Sequence, residues 1–433
     1  MIKIFNNPIR ETWAELTRRD VSNDETISAR VTYIVNQVRL EGNAALLRLA
    51  KEIDGLELTS LQIPEETIGA VCRDKACLVS TELRNAIENA AKNIRTFHEA
   101  QRSTGVDLET QPGVRCLQRS VPIQKVGLYI PGGTAPLFST VLMLAIPAQV
   151  AGCKEIILCT PPAKNGSVAP EILFAASVCG VKKIFLVGGA QAIAAMAYGT
   201  ETIPQVDKIF GPGNRYVTKA KQLVAMSQVA IDMPAGPSEV MILADDTANP
   251  AFVAADMLSQ AEHGSDSQAI VVVNSHELAV QIENQLKKQV EKLPRKEFAL
   301  KALENSKIIR LNERQEMIDF ANIYAAEHLI ISMTNAWEAA EHITAAGSIF
   351  IGNYSPESAG DYASGTNHTL PTSGWAKAYS GVNSDSFMKK ITCQELTRQG
   401  LENLSNTIIT MAEAEGLDAH AQAVKVRLNT IER

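Results

Sequence analysis

Short apolar runs alternate with helix-like segments through the middle of the chain, and this alternation limits the possible folds more than any other feature. The first series of runs lies at residues 125–130, 155–160, 183–189, 208–214 and 230–238. A second series follows at 240–245, 268–274, 307–311, 328–332 and 348–353. Strands that alternate with helices form βαβ units around a mostly parallel sheet. The pattern therefore predicts an α/β protein with two such sheets.

Both ends of the chain are predicted to be mainly helical. Residues 25–53 carry apolar side chains at helical spacing, residues 80–101 form a second amphipathic segment, and residues 390–433 have few strand signals. A chain of 433 residues is also too long for one ordinary core. We expect two incomplete Rossmann-like domains with helical N- and C-terminal extensions. The expected parts are an N-terminal helical arm at 1–24, a first α/β domain at 25–124 plus 239–380, a second at 125–238, and a C-terminal tail at 381–433.

Composition excludes several classes of protein. The chain has 41 Lys and Arg against 48 Asp and Glu, a net charge of −7, which argues against a nucleic-acid-binding protein. No apolar run approaches the roughly 18 residues of a membrane span, and the N-terminus has no apolar signal-peptide core. The seven cysteines are widely spaced without a CxxC pair, which is typical of free thiols in a reducing cytosol. We therefore expect a cytoplasmic protein without membrane partners.

Glycine-bearing loops follow several predicted strands of the first series. They lie at 131–133, 188–189, 211–214 and 235–238. Ligands bind at the carboxyl ends of strands in open α/β sheets, and glycine allows backbone amides to approach a phosphate. Each loop alone is better explained as a turn that needs a positive φ angle. Four such loops in one domain favour a ligand such as a nucleotide, although no GxGxxG fingerprint is present.

Candidate metal ligands occur at two places. Gln260 and His263 are three residues apart, which places them on one helical face. Histidine suits zinc, but glutamine is a rare ligand, and a histidine at a helix end is often a surface or capping residue. Asp361 lies in the polar, glycine-rich stretch 358–368, a type of segment that often carries function.

Acid–base candidates are also present. Glu327 and His328 are adjacent where a helix gives way to a strand, and such a pair could transfer protons. Neighbours in a regular strand point to opposite faces, so both residues can serve one site only if the backbone there is irregular. Glu415 and His420 lie in the helical tail, where each could simply be an exposed polar residue. From the residues alone, the prediction is a two-domain α/β enzyme, nucleotide-linked or metal-dependent.

Several long motifs resemble the histidinol dehydrogenase family, whose members catalyse the last two steps of L-histidine biosynthesis. The matching stretches are ETQPGVRC (109–116), VGLYIPGGTAPLFSTVLMLAIPA (126–148), VGGAQAIAA (187–195), VDKIFGPGN (206–214), AIDMPAGPSEV (230–240), LSQAEHGSDSQ (258–268), EHLII (327–331) and SPESAGDYASGTNHTLPT (355–372). The similarity is weaker at both ends. The chain also has Ala326 where the family usually has proline, and Gly416 where arginine is common.

The resemblance implies a set of site residues. The zinc ligands would be Gln260, His263, Asp361 and His420, with one Zn²⁺ per subunit and His420 supplied by the other subunit of a homodimer. The implied NAD contacts are Tyr129, Gln191 and Asn214, in the domain at 125–238. The implied substrate contacts are Ser238, Gln260, His263, Glu327, His328, Asp361, Glu415 and His420. The domain at 25–124 plus 239–380 would hold metal and substrate, and the tail would contribute to the dimer and its shared active sites.

The resemblance also implies a reaction. His328 would remove the hydroxyl proton of L-histidinol while a hydride passes to NAD, and Glu327 would then activate water for a second oxidation of L-histidinaldehyde to L-histidine. Zinc would position the substrate, which is a template role open to metals. The alternatives are a zinc hydrolase that uses Glu327 and metal-bound water, a related dehydrogenase of another amino alcohol, and a binding protein without activity.

Overall fold

The chain divides into two compact units in a computed structural model that describes residues 2–19, 25–73, 78–132, 136–234 and 236–429. The first unit comprises Met1–Gln101 with Ile123–Phe387, and the second comprises Arg102–Pro122 with Met388–Arg433. Gly133 and Ala235 of the predicted glycine loops, residues 20–24 of the expected arm, Cys77 and the side chain of Cys72 lie outside the described residues.

Fourteen strands and seventeen α-helices occur within the described ranges. The strands are β1 (Lys3–Asn6), β2 (Val106–Gln111), β3 (Val114–Pro122), β4 (Lys125–Tyr129), β5 (Glu155–Thr160), β6 (Lys183–Leu186), β7 (Lys208–Phe210), β8 (Ala230–Ile231), β9 (Glu239–Ala244), β10 (Gln268–Val273), β11 (Lys307–Arg310), β12 (His328–Ser332), β13 (Ser348–Ile351) and β14 (Met388–Leu396). The helices are α1 (Trp13–Leu16), α2 (Glu25–Glu41), α3 (Asn43–Leu49), α4 (Glu65–Arg73), α5 (Thr81–Ala100), α6 (Phe138–Ala151), α7 (Pro170–Val178), α8 (Gly189–Tyr198), α9 (Arg215–Ala225), α10 (Pro250–Ala261), α11 (His276–Val290), α12 (Lys296–Asn305), α13 (Arg314–Tyr324), α14 (Ala336–Glu341), α15 (Glu357–Tyr362), α16 (Arg398–Ala414) and α17 (Asp418–Asn429).

A five-stranded parallel sheet contains the first predicted series, in the order β6-β5-β4-β7-β8. Helices α6 to α9 connect its strands, as the alternating pattern predicts. Leu128, Leu158 and Phe210 are fully buried in its core. Strands β5 and β6 are added on one side of β4, and β7 and β8 are added on its other side, so the strand order reverses between β4 and β7. Such a reversal leaves a crevice at the carboxyl ends of the strands.

A six-stranded parallel sheet contains the second series, in the order β1-β11-β10-β9-β12-β13. Its edge strand comes from the N-terminus, where Lys3 pairs in register with Lys307. This strand lies in the segment 1–24, which was expected to be a helical arm. A four-residue edge strand is too short to show a period in the sequence. The two sheets confirm the predicted α/β class.

The predicted helices of the first hundred residues are present. Residues 25–53 form α2 and α3, which are separated at Gly42, where φ is +55°. The segment 80–101 forms α5, which begins after Ser80, whose hydroxyl accepts a hydrogen bond from the backbone N–H of Leu83. Helix α2 packs against α8 and α9, and its buried side chains share one core with residues of the five-stranded sheet.

The second unit is a three-stranded antiparallel sheet, in the order β14-β3-β2, with helices α16 and α17. Met388 of β14 pairs with Pro122 of β3, and Leu396 pairs with Val114. The segment after residue 381 therefore contains a strand before its two helices. Its strand partner lies more than 250 residues earlier in the chain, so local periodicity could not predict the pairing.

Two expectations from composition can be compared with the structure. The cysteines whose side chains are described are free, namely Cys116, Cys153, Cys159, Cys179 and Cys393. Within the described ranges, none of the helices combines the length and the apolar character that crossing a membrane would require.

Candidate active site

The amino ends of two central strands in the six-stranded sheet carry the acid–base candidates. Strand β9 begins at Glu239, β12 begins at His328, and His328 pairs in register with Val240. The order of strands in this sheet reverses between β9 and β12. Ligands of open α/β sheets ordinarily bind at the carboxyl ends of strands. The position of this site at the amino ends is therefore set by this chain's side chains and not by a general rule of the fold.

An irregular turn brings Glu327 and His328 to the same site. Helix α13 is followed by Ala325 in the left-handed conformation, with φ +55°. Glu327 therefore precedes the regular part of β12, and its Oε2 lies 3.6 Å from Nδ1 of His328. Both residues are buried, with 6% and 4% of their surface exposed. The backbone before β12 is therefore irregular, which is the condition under which both side chains can serve one site. A regular strand would direct the two side chains to opposite faces.

Burial and neighbouring charges shift the pKa values of this pair. Burial raises the pKa of Glu327 to about 8, although His328 opposes the shift. Burial lowers the pKa of His328, but the charges of Glu357, Glu327 and Asp361 outweigh it and raise that pKa to about 10. A cation bound among these carboxylates would weaken their attraction for the His328 proton and favour the neutral, basic ring.

A group of potential metal ligands lies next to His328. One donor atom each from His263, Glu357 and Asp361 falls within 4.8 Å of the others. His263 follows the end of α10, and the other two residues lie one helical turn apart on α15. The Asp361 Oδ1 atom is 3.5 Å from Nε2 of His328, and the Glu357 Oε1 atom is 4.0 Å from Nδ1. The three residues form a mixed imidazole and carboxylate donor set of the kind that binds zinc.

Several buried polar atoms in this region have no hydrogen-bond partner. Gln260 is fully buried, yet neither its amide oxygen nor its amide nitrogen is paired within the described residues. Both carboxylate oxygens of Glu357 and the Nε2 atom of His328 also have no hydrogen-bond partner within the described residues. Unpaired buried polar groups are costly, so their concentration at one place indicates a ligand. The donors present fit a zinc ion, and the unusual glutamine is among them.

Desolvation also affects the imidazoles around this group. His263 is exposed to the cavity, yet enough protein surrounds its ring that burial lowers its pKa. Burial likewise lowers the pKa of His368, whose Nδ1 lies 3.0 Å from the backbone oxygen of Asp361. Neutral imidazoles are the form that binds metal ions. The pKa of Asp361 is lowered, because the neighbouring imidazoles of His328, His368 and His263 outweigh burial.

A cavity of about 330 Å³ encloses these side chains. Its lining includes the candidate residues Ser238, Gln260, His263, Glu327, His328 and Asp361. Tyr129 and Asn214, from the carboxyl edge of the five-stranded sheet, line the same cavity. The first unit thus brings together eight of the residues singled out in the sequence, although they come from widely separated segments.

A second cavity, of about 700 Å³, lies at the carboxyl ends of the five-stranded sheet. Tyr129, Gln191 and Asn214 line it, and two of these three also line the first cavity. The Tyr129 hydroxyl accepts a hydrogen bond from the backbone N–H of Gly189 over 3.1 Å, and burial raises the Tyr129 pKa to about 12. Asn214 caps α9 by accepting bonds from the N–H groups of Tyr216 and Val217.

Close approach explains one of the glycine loops at this edge. Gly211 has φ +130°, and a Cβ atom there would lie 2.1 Å from the backbone oxygen of Tyr129. A side chain at Gly211 would therefore displace the end of β4. The loop is required for packing at the strand ends as well as for any ligand that they bind.

Glu415 and His420 belong to the second unit, whereas the cavity residues named above belong to the first. Glu415 follows α16, Gly416 has φ +71°, and His420 lies in the first turn of α17. Both Glu415 and His420 are exposed. The left-handed conformation at Gly416 suits glycine.

Glu357 is the functional candidate that the sequence analysis missed. It is 1% exposed and lies four residues before Asp361 on the same short helix. Burial raises its pKa to about 8. The signal available in the sequence was this i, i+4 spacing of two carboxylates, which places both on one helical face.

Comparison with known proteins gives a consistent result over the whole chain. The sequence profile of the histidinol dehydrogenase family matches residues 17–428. A histidinol dehydrogenase of Bacteroides thetaiotaomicron is 56% identical over 431 residues, covering 100% of both chains. One from Pasteurella multocida is 51% identical over 418 residues and 96% of each chain. The crystal structure of histidinol dehydrogenase from Elizabethkingia anophelis superposes with a TM-score of 0.95 at 50% identity, covering 99% of this chain and 98% of that one.

Proposed function

The chain belongs to the histidinol dehydrogenase family of histidine biosynthesis, and we propose that it oxidises L-histidinol through L-histidinaldehyde to L-histidine with NAD as the acceptor. The observation that carries this proposal is one cavity lined both by a proton-transfer pair, Glu327 and His328, and by two of the three potential metal ligands, His263 and Asp361. A second cavity large enough for a dinucleotide adjoins it and shares Tyr129 and Asn214.

In the first oxidation, His328 acts as the general base. Its buried Nε2 atom, which has no hydrogen-bond partner within the described residues, accepts the proton of the substrate hydroxyl. At the same time, the hydrogen on the carbon that bears this hydroxyl leaves with its electron pair. Asp361 and Glu357 stabilise the resulting imidazolium, because their carboxylates lie 3.5 and 4.0 Å from the two ring nitrogens. The product of this step is the aldehyde.

In the second oxidation, Glu327 acts on water. Its carboxylate takes a proton from a water molecule as the oxygen attacks the aldehyde carbon, which produces the anion of the hydrate. A second hydride then leaves this carbon and the carboxylic acid forms. Burial raises the pKa of Glu327 to about 8, which makes the carboxylate a stronger base once it is ionised. The cavity, lined by both residues, would hold the aldehyde beside them between the two steps.

Zinc would be held by Gln260, His263 and Asp361 of one subunit and by His420 of the other subunit of a homodimer. When bound, the metal positions the substrate through its imidazole and amine groups. Gln260 then gains a partner for an amide that is otherwise buried without one. Ser238, which lines the same cavity, and Glu415 of the partner chain would complete the substrate contacts.

NAD would be held by Tyr129, Gln191 and Asn214 at the carboxyl edge of the five-stranded sheet. When bound, it accepts a hydride in each oxidation. The N-terminus of α8, at Gly189, supplies backbone N–H groups that favour a phosphate. In this arrangement the five-stranded part of the first unit binds the cofactor, and the six-stranded part binds metal and substrate.

The direct test is to mix purified, zinc-loaded protein with L-histidinol and NAD and to measure NADH by its absorbance and L-histidine by chromatography. Two NADH molecules are expected for each L-histidine formed. Absence of NADH formation by folded, zinc-loaded protein would refute the proposal. One NADH per L-histidinol consumed, with L-histidinaldehyde formed in place of L-histidine, would refute the second oxidation. A higher kcat/KM for another amino alcohol would assign a different substrate.

A further inference from the structure

An ion pair lies next to the catalytic pair and lines a neighbouring cavity of about 790 Å³. Arg19 donates from Nε to Glu239 Oε2 over 2.6 Å and from Nη2 to Oε1 over 2.7 Å. The two side chains are 15% and 3% exposed. Neither residue lines the 330 Å³ cavity. This bidentate pair is therefore placed to act on the site only through other residues.

Further contacts saturate the Glu239 carboxylate. The backbone N–H of Ser373 donates to Oε1 over 3.1 Å, and the Tyr324 hydroxyl lies 3.4 Å from Oε2. The Arg19 guanidinium carbon lies 3.8 Å from the centre of the Tyr324 ring, and its Nη2 donates to the Tyr324 backbone oxygen over 2.8 Å. We call Arg19, Glu239 and Tyr324 the anchoring cluster. Charged groups that are buried with this many partners have little freedom to move.

The backbone of Glu239 contacts both catalytic side chains. Its N–H donates to Glu327 Oε2 over 2.9 Å, and its carbonyl oxygen lies 3.4 Å from Nδ1 of His328. The cluster also holds the other side of the site, because Tyr324 is the last residue of α13 and lies three positions before Glu327. Arg19 thus joins the start of β9 to the turn that delivers the catalytic pair.

We propose that Arg19 is a positioning residue, which orients Glu327 and His328 by fixing Glu239 and the end of α13. The N-terminal segment that carries Arg19 thereby takes part in catalysis without touching the substrate. The rate of the chemical step is sensitive to small errors in the placement of reacting groups. Substrate binding that depends on other side chains is less sensitive to the placement of these two residues. Loss of the anchor should therefore lower kcat more than it raises KM. This inference rests on the proposed roles of Glu327 and His328.

The experiment compares Arg19→Met and Arg19→Lys with Arg10→Met as the matched control. Arg10 belongs to the same N-terminal segment and pairs with Asp319 of the same helix α13, but it has no contact with Glu239. Arg19→Met should lower kcat about tenfold or more, with KM for L-histidinol within about twofold of the unchanged protein. Arg19→Lys should recover part of kcat, since it restores the charge without the bidentate geometry. Arg10→Met should leave kcat within about twofold.

Zinc content and circular dichroism are measured for each variant. Unchanged kcat in Arg19→Met would overturn the inference, as would a fall in kcat matched by an equal loss of folded, zinc-loaded protein. If Arg19→Met does not fold, Arg19→Lys decides, because a kcat at least about threefold lower at constant KM supports the inference and an unchanged kcat contradicts it. Failure of the unchanged protein to oxidise histidinol would instead refute the proposed function.

Discussion

Glu357 lies with its Oε1 atom 4.0 Å from Nδ1 of His328, and neither of its carboxylate oxygens has a hydrogen-bond partner within the described residues. A buried carboxylate without a partner is costly, so its retention beside a catalytic histidine indicates a role. It can attract a cation in the group formed with His263 and Asp361, or it can stabilise the imidazolium form of His328. Both roles depend on its negative charge.

Removal of that charge by Glu357→Gln should weaken zinc binding roughly tenfold and lower kcat, because the substitution preserves shape but not charge. The measurements are zinc titration of the metal-free protein and steady-state kinetics at saturating zinc. The control is Glu338→Gln, which alters an exposed residue of α14. Normal zinc affinity together with normal kcat in Glu357→Gln would show that neither role is correct.

Replacement of Gln260 by leucine should have opposite effects on the two forms of the protein. Without metal, Gln260→Leu should raise the free energy of unfolding by about 1 kcal/mol, because an unpaired buried amide is replaced by an apolar side chain. With zinc, the stabilisation that the metal gives to the unchanged protein should be largely lost. Thermal unfolding with and without zinc measures both effects. An unchanged zinc-dependent rise in Tm would exclude Gln260 as a ligand.

His328→Asn should lower kcat by about 10²–10⁴-fold, which is the usual contribution of general acid–base catalysis. Zinc content should remain that of the unchanged protein, because His328 is assigned to proton transfer and not to the metal. Metal analysis of the purified variant accompanies the kinetics. Loss of zinc from this variant would mean that the catalyst and the ligand have been confused.

Mixing two inactive variants should test whether His420 acts in the partner's site. In a heterodimer of His328→Asn and His420→Asn, one of the two shared sites has both histidines intact. Random mixing of equal amounts should therefore restore about a quarter of the full activity. The measurement is the NADH formation rate after joint unfolding and refolding. No recovery, with dimers present by sedimentation, would place His420 in the site of its own chain.

The pH dependence of stability should include a contribution from His98. His98 is fully buried, its Nδ1 lies 2.8 Å from the backbone oxygen of Ile94, and burial lowers its pKa from 6.5. The unfolded chain therefore binds a proton as pH falls through 6.5 while the folded chain resists it, so this residue lowers the free energy of unfolding below that pH. The slope is at most about 1.4 kcal/mol per pH unit.

His98→Gln should reduce this slope between pH 7 and pH 5, as measured by urea unfolding at a series of pH values. The comparison uses the difference between the variant and the unchanged protein, because other histidines also titrate. His276→Gln, which alters an exposed residue of α11, serves as the control. Parallel pH profiles for His98→Gln and the unchanged protein would contradict the prediction.

Local patterns in the sequence were sufficient to predict the two parallel sheets and the residue types of the site. Apolar runs of strand length must be covered on both faces, and the helices between them provide that cover, so the α/β class follows from the order of the runs. The spacing of Gln260 and His263 predicts one helical face, but α10 ends at Ala261, so Gln260 lies in the helix and His263 follows it, and both line the same cavity. The motifs also contained every residue type that the proposed chemistry needs.

Only the tertiary structure decided how these residues combine. The pairing of β1 with β11, and of β14 with β3, joins segments more than 250 residues apart, and no local period reports such contacts. The left-handed turn at Ala325 directs Glu327 and His328 into one cavity. The tertiary structure also buries the Glu357 carboxylate without a hydrogen-bond partner within the described residues. Arg19 and Glu239 are 220 residues apart and appear ordinary in the sequence. Their importance arises from desolvation, because charges that are exposed in the unfolded chain become partners once the fold removes water from around them.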